Sequence, residues 1–418
     1  MTVHSSNKVK VLLEKGIEVP NPESVEIGSM VDLNRISGDG VTIYAGCKIY
    51  GRESLIMPNV KLGYESPVTL RDCQLGPDVE LKGGFFRKST FLKGANMGSG
   101  AQVRDGCLLE EEANGAHTVG LKQTILFPFV TFGSLINFCD GLMAGGTSRK
   151  NHTEVGSSYI HFNYTPNQDK ATPSLIGDVP RGVMLNQSPI FLGGQGGLVG
   201  PCRIGYGTVV AAGTICRMDC PEGGKLLFGG TRKSGDLEFH PGVYRSVRRR
   251  VVNNIIYIAN LIALRQWYAH VRSLFHADAG LGNELHRGAM EKIEMGFAER
   301  IKRLGALAAK MPASAESYRK IMDTPSRELL DRKNEFFHKW PQVEEALKAS
   351  SKWTGDISAR DSFLDKISRD TGKKGNDYIA VIQGLEPEWS EKGTSWLQGI
   401  VAEVTGEVFS LLPSFKPE

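Results

Sequence analysis

No tryptophan occurs in the first 240 residues of this 418-residue chain, and no CxxC pair occurs anywhere in it. Apolar runs stop well short of the roughly 20 residues that cross a bilayer, which argues against a membrane partner. Met1 to Asn21 lacks the apolar run of a secretory leader, so a cytoplasmic location is expected. Charge of one sign is equally scarce. The 50 lysines and arginines face 46 acids, a formal +4 that is too mild to point to nucleic acid. The seven cysteines are scattered, and Cys216 and Cys220 have no second pair to complete a zinc site. His117, His152 and His161 lack the spacing of an inter-subunit metal site. No metal is expected, and the thiols read as reduced and mostly buried.

Glycine is abundant but unevenly placed: 36 of the 49 glycines precede His240, and all five tryptophans follow it. One architecture does not produce such a shift. A boundary is expected around Gly230 to Gly242, dividing residues 1–240 from residues 241–418.

The first part repeats. Leu192, Leu198, Ile204, Val210 and Cys216 recur at intervals of six, and Ile43, Ile49 and Leu55 show the same step. So do Leu62 and Val68, Leu75 and Leu81, and Val130, Ile136 and Leu142. A period of six fits neither a helix nor simple strand alternation. It fits a coil with three flat faces, in which each hexad supplies a short strand and a tight corner. The aliphatic residue points inward and small residues relax the corner. No turn buries its face alone, so stability comes from stacking and from caps. The expected fold is a left-handed parallel β-helix; a glycine-rich antiparallel sandwich is the alternative. From Val243 the pattern becomes helical, with Val247, Val251, Ile255, Ile258 and Ile262 on one face of a helix 45–50 Å long at about 1.5 Å per residue. Further helices are expected over 283–311, 315–340 and 395–412. This part reads as an α-helical cap and oligomer clamp. Arg245, Arg248, Arg249 and Arg250 sit at the wrong end for the helix dipole and need acidic, phosphate or water partners.

The segments VGSSYIHFNYTPNQDKATPSLIGD (155–178) and FLGGQGGLVGPCRIGYGTVVAAGTI (191–215) carry a family resemblance. They resemble the acetyltransferase half of the bifunctional N-acetylglucosamine-1-phosphate uridyltransferase/glucosamine-1-phosphate acetyltransferases. Asn163-Tyr164 match that family's Asn-Tyr pair, and Ile176-Gly177-Asp178 match its Ile-Gly-Asp. The resemblance implies a homotrimer with substrate sites between neighbouring coils, acetyl-CoA as acyl donor, and a sugar phosphate or nucleotide sugar as ligand. It places Asn163 and Tyr164 at the site. It aligns Arg104 with a phosphate contact and Lys122 with a lysine that follows it, with surface charge as the plainer reading of both, and Lys170 lies one residue beyond a family lysine. The uridyltransferase half has no counterpart here. The family's base is the histidine of an Ala-Gly-His tripeptide. Here Ala144-Gly145-Gly146 puts glycine at that place, and counting back from Gly156 puts Asp140 there.

Acyl transfer to an amine needs a base and cations for the phosphate. In GGTSRKNHTEVG (145–156), Arg149 and Lys150 are candidates to clamp phosphate, with His152 as base and Glu154 to orient it. A solvated loop is the plainer alternative. His161 is the second candidate base. If Ile160 points into the coil, His161 faces the groove; a structural histidine packed against a neighbouring subunit is the alternative. Three functions remain open: a sugar-phosphate or sugar-nucleotide acyltransferase, a catalytically altered sugar-nucleotide-binding or regulatory trimer, and a structural scaffold.

Overall fold

The computed structural model describes residues 3–229, 235, 236, 238–275 and 280–417, so part of the expected boundary at 230–242 lies outside the described residues. The repeat winds into a left-handed parallel β-solenoid of about 11 turns. Helices hold 41% of the residues and strands 21%, because short strands leave much of each turn to corners. Three faces form, each a ladder of parallel strands, so the sandwich is excluded. Among the described strands the antiparallel pair is the hairpin of Gly146–Ser148 and Asn151–His152.

Ladder residues fill the interior in register. Face A stacks Leu70, Phe86, Val103, Leu121 and Phe138; face B stacks Ile56, Leu75, Phe91, Leu109 and Leu126. Face C stacks Ile43, Leu62, Leu81 and Met97, and later Leu192 and Val210. The run Leu192, Leu198, Ile204, Val210 and Cys216 steps through faces C, A, B, C and A, as its spacing predicts. Elsewhere the phase differs. Phe132, Phe138 and Met143 are the ladder residues, with Val130 and Ile136 buried two positions earlier. Turns stack so closely that a Cβ on Gly156 would sit 2.4 Å from the Gly194 backbone nitrogen.

A helix that the repeat does not predict, α1 (Val3–Glu14), caps the first turn. Lys8 Nζ donates to the carbonyls of Gly28, Ser29 and Val31, satisfying an edge that no further turn covers. The insertion 179–188 holds the short helix α2 (Val179–Gly182). The C-terminal part contains α3 (Val247–His270), α4 (Gly280–Ala309), α5 (Met311–Ile321) and α6 (Arg327–Ser350). It continues with α7 (Ile357–Lys374), α8 (Tyr378–Gln383) and α9 (Pro387–Leu411). At about 1.5 Å per residue the 24-residue α3 spans roughly 36 Å, shorter than expected because a 3-10 turn follows it. Pro325 splits the expected 315–340 helix, since the residue before proline avoids helical angles.

These helices lie along face B. Its outward residues Leu55, Leu108, Ile125 and Leu142 are all buried, so this sheet is apolar on both sides. At Gly288, α4 comes close enough that a Cβ would lie 2.6 Å from the Gln74 amide oxygen. A buried ion cluster fixes the end of α3: Arg272 Nη1 and Nη2 each meet a Glu111 oxygen at 2.7 Å, and the Tyr268 hydroxyl donates to Glu110. Acidic partners for the basic start of α3 come from the solenoid. Arg250 pairs with Asp169 at 2.8 Å and Arg249 with Asp219 at 3.4 Å. Arg248 donates to the Lys416 carbonyl, and Arg245 reaches the Met322 sulfur.

Candidate functional site

The candidate residues fall on two corners of the triangular coil. At the corner between faces A and B, the residue after each face A ladder position points outward. That position is Arg71, Arg87, Arg104, Lys122 and then Cys139 on successive turns. Turn spacing of about 4.8 Å therefore lines four cations along one edge. Arg87 pairs with Asp105 at 2.6 Å. Arg104 is exposed and reaches only the Cys139 sulfur, at 4.0 Å. No carboxylate lies within ion-pair distance of Arg104 or Lys122 among the described residues. Arg71 and Arg87 escape a search for isolated motifs; the visible signal is a basic residue directly after a ladder residue.

One turn further, the same corner holds Asp140 in a left-handed backbone conformation, φ 62°. Asn163 Nδ2 donates to its Oδ2 at 2.6 Å, and Arg300 Nη2 from α4 donates to its Oδ1 at 2.6 Å. The Asp140 and Arg300 side chains are only 7% and 2% exposed. The residue that counting from Gly156 sets at the family's base position thus touches the residue aligned with the family's asparagine. Both of its oxygens are occupied, one by a cation from the helical part of the same chain. Nothing local in the sequence links residues 140 and 300.

The segment after Asn163 folds back onto the helices. Thr172 Oγ1 donates to the Asn163 carbonyl at 2.7 Å, and Lys310 Nζ donates to the Asn167 carbonyl at 2.7 Å. Tyr164 remains exposed, with Lys170 Nζ 5.7 Å from its ring centre. Asn163 thus stands at the corner that carries Arg104 and Lys122 on preceding turns, with Tyr164 next to it in the chain and Lys170 against the Tyr164 ring.

His161 lies at that level but inside the coil. Strand alternation holds, and its phase is the reverse of the one expected: Ile160 and Phe162 point out and His161, 2% exposed, points in. The reason is register, because His161 continues the interior stack of Phe138 and is followed in it by Leu198. Its Nδ1 donates to the Cys139 carbonyl, and its Nε2 accepts from Ser174 Oγ at 2.8 Å. Burial holds its pKa down, to about 4. The ring is neutral and does not face the groove.

Arg149, Lys150 and His152 sit on the hairpin at the corner between faces B and C. Arg149 Nη1 donates to the Glu112 carbonyl at 3.0 Å, the Phe129 carbonyl at 2.9 Å and Thr131 Oγ1 at 2.8 Å. Lys150 is exposed at the tip. His152 Nδ1 donates to the Arg149 carbonyl at 2.9 Å, which leaves Nε2 facing the Glu154 carboxylate at 3.4 Å. Gly146 opens this hairpin with φ 97°, and a Cβ there would lie 2.6 Å from the His152 backbone. A histidine at position 146 does not fit.

A stacked hexad interior, three parallel faces and a basic edge ending at an Asn-Tyr pair define a hexapeptide-repeat β-helix protein. The chain is similar to proteins named "Bifunctional protein GlmU". Identity is 26% over 215 residues to the Thermotoga maritima protein, spanning 51% of this chain and 42% of that one. It is 26% over 211 residues to the Nitratidesulfovibrio vulgaris protein, at 50% and 41%, and 25% over 223 residues to the Methylococcus capsulatus protein, at 53% and 43%. The match covers less than half the length of these relatives. No family model matches the chain. Over about half its length the chain is therefore similar to GlmU proteins, and it folds as a hexapeptide-repeat solenoid. No described helix is long and apolar enough to cross a membrane.

Proposed function

We propose that the protein binds a sugar phosphate or nucleotide sugar at the edge of Arg104 and Lys122 and has given up ordinary glucosamine-1-phosphate acetylation. The observation that carries this reading is the Asp140–Arg300–Asn163 cluster. A general base must reach its proton with a free lone pair. Here the carboxylate that counting from Gly156 sets at the family's base position is buried, and the Arg300 guanidinium paired with it opposes its taking up a proton. Among the described residues Arg104 and Lys122 have no acidic partner, so the phosphate-binding half of the chemistry keeps its support. Binding would occur in a homotrimer, where a neighbouring coil closes the edge. Seven free, buried cysteines suit a reducing cytoplasm.

A second reading, acyl transfer from acetyl-CoA, draws on the half-exposed His152–Glu154 pair. Nε2 carries the ring's open lone pair, and Glu154 stands ready to stabilise the cation that forms. In a trimer, a neighbour's hairpin would have to bring this pair to the basic edge. The two readings separate cleanly. Purified protein mixed with acetyl-CoA and glucosamine-1-phosphate should release no thiol above background. UDP-N-acetylglucosamine should raise the melting temperature, and Arg104→Ala with Lys122→Ala should abolish the rise. Thiol release that disappears in His152→Ala establishes the transferase instead. No release and no shift with any sugar ligand leaves a scaffold.

A further inference from the structure

The outward column of face B is the surface that the helices cover. It runs through Leu142, Leu175 and Arg203 to Asp219, in the register that pairs these segments. Half-buried Arg203 would be stabilised there by a fixed anion. Arg203 has none: no carboxylate lies within ion-pair distance of its guanidinium among the described residues, and its Nε is enclosed without a hydrogen-bond partner. The neighbouring acids are committed elsewhere. Asp178 binds Arg181, whose Nε lies 2.7 Å from Oδ2 and whose guanidinium stacks on Tyr206. Asp219 accepts the Arg203 backbone N–H, while Arg249 and Asn253 hold its carboxylate.

Arg203 lines a cavity of about 370 Å³ between the last turns and the helices. Leu175, Ile204 and Pro221 form the solenoid side, and Ile256 of α3 with Val401 and Ala402 of α9 form the other. Asn260 also borders it, but its amide is spent on the Val179 N–H and the Ile256 carbonyl. Gln398 stands exposed at the rim.

We infer that this cavity binds a small organic monocarboxylate, its carboxylate on Arg203 and its apolar body against α3 and α9. The charge balance selects the class. Asp178 cancels Arg181, so one positive charge remains, which a monocarboxylate neutralises and a phosphate dianion overcompensates. The planar guanidinium fork matches a carboxylate, and the apolar walls exclude a fully hydrated ion. This site is separate from the Arg104–Lys122 edge, so neither reading depends on the other.

Octanoate, octanamide and inorganic phosphate are suitable probes, titrated calorimetrically into the full-length protein. Octanoate should bind, and octanamide should bind at least tenfold more weakly. Arg203→Gln should weaken octanoate at least tenfold, and Arg203→Lys should restore part of the loss. Ala402→Trp, on the exposed rim of α9, should block octanoate while leaving the cation in place. Equal affinity for octanoate and octanamide overturns the inference. So does displacement of octanoate by phosphate, or unchanged binding in both Arg203→Gln and Ala402→Trp.

Discussion

His161 stands between Phe138 and Leu198 in an interior stack, and Glu110 lies against Arg272, Glu111 and Tyr268 beneath α3. Burial acts on both, with opposite consequences. It lowers the imidazole from an ordinary 6.5 to about 4. It raises the carboxyl from 4.5 to about 7, against the pull of Arg272 and helped by Glu111. The unfolded chain binds the extra proton on His161, so the stability this ring allows is complete above pH 6.5 and lost as pH falls towards 4. The folded chain binds the extra proton on Glu110, so its stability is complete below pH 4.5 and lost as pH rises through 7. Where the two windows overlap, the slopes oppose each other. Single variants should uncouple them. Glu110→Gln keeps an acceptor for Tyr268 and should lose stability as pH drops from 6.5 to 4. His161→Leu should lose it as pH climbs from 4.5 to 7. Urea midpoints measured across pH check both, and a flat profile in either variant contradicts the assignment for the residue that it retains.

At the level of elements, the hairpin of residues 146–152 shows how a polar run divides between structure and solvent. Arg149 gives one nitrogen to three oxygens on the two preceding turns, whereas Lys150 ends in water. Hydrogen bonds from a charged group are worth about 1.5–3 kcal/mol. Arg149→Ala should therefore lower the thermal midpoint by several degrees, and Lys150→Ala should leave it within error; circular dichroism melts compare the two. The sequence shows both residues as equal candidates because side-chain direction at a corner depends on the turn below, not on neighbours in the chain. The six-residue step predicted the solenoid because the interior repeats its demand on every turn. The paired apolar residues Leu108-Leu109, Ile125-Leu126 and Leu142-Met143 already mark a face buried on both sides, although the single-residue step does not reveal it. The sequence leaves the direction of His161 open because its apolar neighbours Ile160 and Phe162 look like the interior set. Only the register with Phe138 and Leu198 reverses them. The Asp140–Arg300 contact joins two architectures across 160 positions, where no local pattern operates.

For the whole molecule, the helices leave only faces A and C free to meet another copy. On the last turns these faces change character. Face C carries Thr42, Lys61 and Glu80 outward on early turns, then Phe191, Val209 and Leu226 in one register column, 40%, 41% and 62% exposed. Face A adds Ile160 and Ile215, 44% and 42% exposed, across a corner of small residues that includes Gly194, Ala212 and Gly213. Among the described residues the columns are apolar from Phe191 and Ile160 onward, with Glu154 one turn before Phe191 and exposed Arg217 at the edge beyond Ile215, and the small corner permits close approach. An apolar ridge of this kind marks a contact between proteins, and closed symmetry is the usual way for identical chains to bury one. If three copies meet on this ridge, sedimentation should report three times the 45.7 kDa chain mass. Val209→Glu with Ile215→Glu places unpaired charge in the contact and should yield monomers without lowering helical content, because both positions already face solvent in the single chain. A wild-type protein that sediments as a monomer at micromolar concentration contradicts self-association through this ridge. The Arg104–Lys122 edge would then have to hold its ligand within one chain.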